Sequence, residues 1–103
     1  MPKLVYCTTS DIAEAEKIAK TLLEEKLVAC VNIIPSIRSM YRWKGAIEIG
    51  TESALFIKTV DGKVAETIDR VKELHSYDVA EIIALDLVDG SKEYFDFLRK
   101  ETL

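Results

Sequence analysis

Apolar positions along the chain switch between a period of two and a period of 3.6, and each switch marks a change of element. Lys3 to Thr9 is a short, β-rich apolar run that reads as a buried strand. Ser10 and Asp11 then start a helix, with Asp11 and Glu14 spaced as a capping box. Ile12, Ala15, Ile18, Ala19, Leu22 and Leu23 form its apolar stripe, and the helix is predicted to end near Lys26. Leu27 to Trp43 reads as a long strand. Pro35 interrupts it, and because proline cannot donate to a ladder it marks an edge strand or a bulge. Lys44-Gly45 is the turn and Ala46 to Val60 the returning strand, with Gly50 expected at a bulge or bend. Asp61 is positioned to cap a second helix that turns Val64, Ala65, Ile68, Val71 and Leu74 inward. His75 to Asp78 is a loop and Ala80 to Val88 a fourth strand. Ser91 caps a final helix with Tyr94, Phe95 and Leu98 inward.

The order β-α-β-β-α-β-α predicts an α+β fold of the split βαβ, ferredoxin-like kind, with residues 1–103 as one domain. Right-handed crossovers put both long helices on one face of a four-stranded antiparallel sheet whose first and third strands are central. The long β-hairpin does not fit that frame. About 15 residues per arm span roughly 50 Å, whereas a domain of this length is only about 30–35 Å across. The arms must therefore bend, protrude or pair with another chain. Regular pairing outward to the turn sets Trp43 opposite Ala46, Tyr41 opposite Glu48 and Met40 opposite Ile49. A two-stranded ribbon alone is marginal in water, and an apolar edge invites association. Met40, Tyr41, Trp43, Ile47 and Ile49 are thus the candidate interface of a homo-oligomer.

Composition supports that reading, since 49% apolar residues are generous for the core of a 103-residue chain. The net charge is −4, and Lys and Arg alternate with Glu and Asp instead of clustering as phosphate binding requires, so no nucleic-acid partner is expected. No apolar run approaches the ~18–20 residues of a membrane span. The first residues lead straight into a strand instead of a signal sequence, so the expected location is cytoplasmic. One Asn, no Gln and two Met beside many Lys and Glu form a composition found in thermostable proteins.

Candidate chemistry is sparse. His75, the single histidine, sits just past the second helix, where it either ligates a metal or complements the helix dipole. Cys7 and Cys30 are soft metal-ligand candidates, or small buried hydrophobes. Their strands flank a third, about 9–10 Å apart at ~4.8 Å per strand, which disfavours one sulfur-only site within a subunit. Glu48, Glu52 and Glu81 offer carboxylates for acid–base work or hard cations, or are solvated strand positions. Lys58, deep in a central strand, needs a carboxylate, an interface or a ligand. Lys58, Tyr77, Glu81 and Glu52 are the candidate lining of a ligand cleft. There is no nucleophile elbow, P-loop or HExxH motif, so no enzymatic activity and no obligatory cofactor is expected.

Three segments carry a family resemblance: Ala29-Cys30-Val31-Asn32-Ile33-Ile34-Pro35, Ser39 to Glu48 around Tyr41-Arg42-Trp43-Lys44-Gly45, and Glu52 to Thr59. With Tyr6-Cys7-Thr8-Thr9, Leu74-His75-Ser76-Tyr77 and Glu81-Ile82-Ile83, the chain resembles the CutA divalent-cation tolerance family along essentially its whole length. The resemblance implies a homotrimer close in architecture to PII-type signalling proteins, a link to tolerance of divalent metal ions, copper above all, and no established catalysis. It also implies weak copper coordination by Cys7 and His75, with Cys30 in the family's Cys-Val-Asn motif. The alternative is a PII-like trimer that binds a small molecule or partner protein, with metal binding incidental. Ser76 and Ala80 stand where the family usually has proline, which predicts a looser loop. Leu74 replaces a second histidine, and Phe97 a more usual tryptophan.

Overall fold

A computed structural model describes residues 1–103. Strand β1 (Pro2–Thr9) leads into helix α1 (Ile12–Glu24), followed by the long strands β2 (Cys30–Trp43) and β3 (Ala46–Val60). A 3-10 turn (Asp61–Lys63), helix α2 (Val64–Leu74), strand β4 (Ile82–Asp86) and helix α3 (Lys92–Glu101) complete the chain. The antiparallel sheet has the order β2-β3-β1-β4, the ferredoxin-like arrangement with the first and third strands central.

The capping box forms, but with a shifted return bond. The Asp11 carboxylate accepts the Glu14 N–H at 2.9 Å, while Glu14 accepts the Ser10 N–H and hydroxyl, each at 3.0 Å. Ala15, Ile18, Ala19 and Leu22 bury the face of α1 that meets the sheet. Ile12 and Leu23, at the ends of the predicted stripe, stay exposed. Val5, Cys7, Leu55 and Ile57 project from the two central strands into the same core as Ile18, Leu22 and Val71.

Asp61 does not cap α2. Its carboxylate takes the Lys3 ammonium at 3.1 Å and the N-terminal ammonium at 3.3 Å, and a 3-10 turn precedes the helix. The turn changes the phase of α2, so Thr67 and Val71 are its fully buried residues and Ala65 is exposed. Strand β4 is shorter than expected because it pairs only with Lys3–Cys7 of β1. Helix α3, capped by Ser91 as predicted, packs on β3 and β1. It buries Leu98, which stands outside the main core cluster, and leaves Tyr94 exposed.

The long hairpin protrudes, giving a long axis of 44 Å against 26 and 22 Å. Its turn has positive φ at both Lys44 (49°) and Gly45 (83°), as a tight primed turn requires, and this fixes the predicted pairing of Trp43 with Ala46. Gly50 is not a bulge, because it pairs regularly with Ser39. The irregularity lies at Pro35: Ile34 faces Ala54, yet Ile37 faces Glu52. Thus β2 spends one extra residue against Ser53, and every side chain beyond it changes face. Beyond the bulge, Ile37, Ser39, Tyr41 and Trp43 share the face of Glu52, Ala54 and Phe56, opposite the helices α1 and α2. Arg38, Met40 and Arg42 take the other face with Ile47 and Ile49.

The buried Ser53 hydroxyl donates to the Pro35 carbonyl at 2.7 Å and pins the bulge. Ser53→Ala is expected to cost about 1–2 kcal/mol, read as a lower denaturant midpoint at fixed protein concentration with an unchanged slope.

Candidate functional site

On the sheet face opposite α1 and α2, the end of β1, the distal ribbon and the loop after α2 surround a cleft of about 670 Å³. Tyr6, Tyr41, Trp43, Glu52, Tyr77 and Glu81 are among its walls. Three of the four residues expected in a ligand cleft, Glu52, Tyr77 and Glu81, therefore meet there. Lys58 does not: its ammonium has only the Cys30 sulfur, at 3.9 Å, and no carboxylate within ion-pair distance.

The cleft is acidic on its sheet side. The Tyr77 hydroxyl donates to Glu52 Oε2 at 2.9 Å. Burial, then this bond and the nearby carboxylates and Tyr41, push the Tyr77 hydroxyl above its ordinary value of 10.0. Burial, then the charges of Glu81 and Glu52, raise Tyr6 in the same direction. Neither Glu52 nor Glu81 takes part in an ion pair. The bulge explains why aromatic side chains join them: without the extra residue, Tyr41 and Trp43 would point to the other face of the ribbon.

The loop after α2 is tied down from both sides. The His75 Nε2–H donates to the Thr8 carbonyl at 2.7 Å, and its Nδ1 accepts the Tyr77 N–H at 3.1 Å. A carbonyl only accepts and an amide N–H only donates, so these partners set the tautomer and engage both ring nitrogens. The ring also lies 4.7 Å from that of Tyr77. The Ser76 N–H donates to Glu14 Oε2 at 2.8 Å, a bond that proline has no N–H to make. Ser76 thus gives the loop an anchor that proline could not supply. Partial burial raises the Glu14 carboxyl, but bonds from the N–H and hydroxyl groups of Ser10 and Ser76 outweigh it and hold the pKa at about 2.

The cysteines lie apart. Cys7 is wholly buried, its thiol bonded to the Thr8 carbonyl at 3.5 Å. Burial, then the charges of Glu14, Glu81 and Glu52, push the thiol up to about 12. Cys30 pairs with Lys58 on the opposite face of the sheet, three β3 positions from Leu55, the partner of Cys7. Partial burial, then the neighbouring Cys30 thiol, raises the Tyr94 hydroxyl to about 12. No group of three or more His, Cys, Asp or Glu side chains converges as a metal cage.

Two residues of this region had no signal in the pattern. Glu14 reads as a helix cap and Tyr6 as one more apolar strand position, and only the fold brings the loop against them.

Residues 3–101 match the family described as CutA1 divalent ion tolerance protein. The divalent-cation tolerance protein CutA of Thermus thermophilus is 43% identical over 102 residues, 99% of each chain. That of Archaeoglobus fulgidus is 47% identical over 98 residues, 95% of each. The solved structure of the Archaeoglobus protein, described as a periplasmic divalent cation tolerance protein, covers 100% of both chains with a TM-score of 0.97 at 44% identity.

The Glu14 geometry sets an acid limit. A carboxylate whose folded pKa lies below the ordinary 4.5 contributes stability above that value and loses it as pH falls through about 2. Glu14→Gln is therefore expected to flatten the fall of the denaturant midpoint between pH 4.5 and 2. An unchanged slope would contradict the assignment.

Proposed function

Because the chain belongs to the CutA1 divalent ion tolerance family, we propose that it serves divalent-cation tolerance as a non-enzymatic homotrimer that binds copper only weakly. The observation that carries self-association is the ribbon face bearing Met40, Ile47 and Ile49, exposed by 66%, 65% and 59%. Three large apolar side chains on a protruding two-stranded ribbon need a cover, and another copy of the same ribbon region is the economical one. Three copies are the assembly that the family resemblance implies. A non-enzymatic role fits the buried, protonated Cys7 thiol. A cytoplasmic location belongs to the same proposal and is supported by the two free thiols.

Weak copper binding follows from the environment of the ligands. Copper at Cys7 must displace a proton held to about pH 12. Copper at His75 must break a ring hydrogen bond, to the Thr8 carbonyl or from the Tyr77 N–H. A second reading, a trimer whose clefts take a small molecule while metal binding is incidental, is favoured by the 670 Å³ cleft.

Light scattering at micromolar concentration is expected to give about 35 kDa, three times the 11.6 kDa chain, and Ile47→Glu with Ile49→Glu is expected to lower it. A wild-type mass of 11.6 kDa would overturn self-association. Calorimetric titration with copper is expected to show micromolar or weaker binding that Cys7→Ser and His75→Ala each weaken further. Identical binding in both variants would reject these ligands.

A further inference from the structure

We propose that Cys30 is a peroxide-oxidisable thiol whose oxidised form is captured by the Lys58 amine, giving a reversible covalent link between β2 and β3 at the root of the long hairpin. The two residues are direct cross-strand partners, and the Lys58 ammonium lies 3.9 Å from the Cys30 sulfur. The Ala29 N–H donates to the Lys58 carbonyl at 3.0 Å, so the register that pairs them is held by the residue before Cys30.

Three observations select this pair. Cys30 is only partly buried, whereas Cys7 is wholly buried and its thiol stays protonated up to about 12. Hydrogen peroxide is little larger than water, so its access to Cys30 needs no open pocket. The lysine is also unencumbered. No carboxylate lies within ion-pair distance of Lys58, and its partner on β1 is Leu4, so no ion pair has to break before the amine can attack. Competing nucleophiles, finally, are absent. A sulfenic acid condenses with a thiol or a nitrogen within reach. The other thiol, Cys7, projects into the core on the opposite side of the sheet. The Tyr94 hydroxyl neighbours Cys30 but holds its proton up to about 12.

The chemistry balances with peroxide as the only added reactant. The Cys30 thiol and one peroxide give a sulfenic acid and water, the sulfur losing two electrons and the O–O bond accepting them. The Lys58 ammonium releases one proton to solvent and its amine attacks that sulfur. The S–O bond breaks as the S–N bond forms, and the hydroxyl leaves as water with a second amine proton. Two external thiols reverse the link: they restore both side chains and end as a disulfide. The link also removes the charge of Lys58, so it changes the electrostatics of this strand as well as its freedom.

The test treats the full-length, assembled protein with hydrogen peroxide and weighs the chain by mass spectrometry. The chain is expected to become lighter by two hydrogens, and dithiothreitol is expected to restore the original mass. Tryptic digestion of the oxidised wild type is expected to yield one joined fragment carrying Cys30 and Lys58, uncut after Lys58. Lys58→Arg keeps the positive charge and removes the attacking amine. It is expected to lose no hydrogens and to gain oxygen as its sulfenic acid oxidises further. Circular dichroism shows whether that variant has folded, and the joined fragment of the wild type decides the matter without it. A fragment joining Cys30 to Cys7 or to Cys30 of a second copy would overturn the proposal. So would the same loss of hydrogens in Lys58→Arg, oxygen gain without hydrogen loss in the wild type, or an unchanged wild-type mass.

Discussion

One extra residue in β2 governs the distal half of the hairpin. A strand presents alternate side chains to opposite faces, so an insertion of one reverses everything beyond it. At Pro35 the ladder steps from Ile34 opposite Ala54 to Ile37 opposite Glu52, and the buried Ser53 hydroxyl holds the step in place. Proline suits the position because it has no N–H to lose from the ladder. The reversal sorts the ribbon's large side chains by chemistry. Tyr41 and Trp43 share the face of Glu52, while the strand alternation sets Met40, Ile47 and Ile49 on the other face. The candidate interface read as one set from the sequence is therefore divided between the two faces of the ribbon.

The loop after α2 closes the cleft because its polar groups are satisfied at its root. His75 bridges the Thr8 carbonyl and the Tyr77 N–H, Ser76 ties to Glu14, and Tyr77 reaches across to Glu52. These bonds make the histidine a structural strut as the chain stands. They also separate the family's link to divalent cations from any ready-made site at Cys7 and His75, since the thiol is sealed and the ring engaged.

Where the sequence was legible, a short-range rule sufficed. Strand alternation, the helix stripes and the Lys44-Gly45 turn led to the sheet order and to the pairing of Trp43 with Ala46. Where it was not, a distant partner decided. Asp61 left its capping role for Lys3 and the N-terminal ammonium, and the phase of α2 shifted so that Thr67 was buried in place of Ala65. Gly50 and Pro35 were both plausible bulges, and only the ladder chooses Pro35. The cleft needed contacts between Glu14 and Ser76 and between Glu52 and Tyr77, which no local pattern encodes.

The central claim is that the protruding ribbon is stable because a neighbouring subunit covers its aliphatic face. Hydrogen–deuterium exchange of the amides from Ile37 to Ile49, at a concentration where the protein is assembled, tests it most directly. The account predicts protection comparable to that of the central strand β1, falling on dilution. Rapid exchange throughout the ribbon, with β1 fully protected, would contradict it.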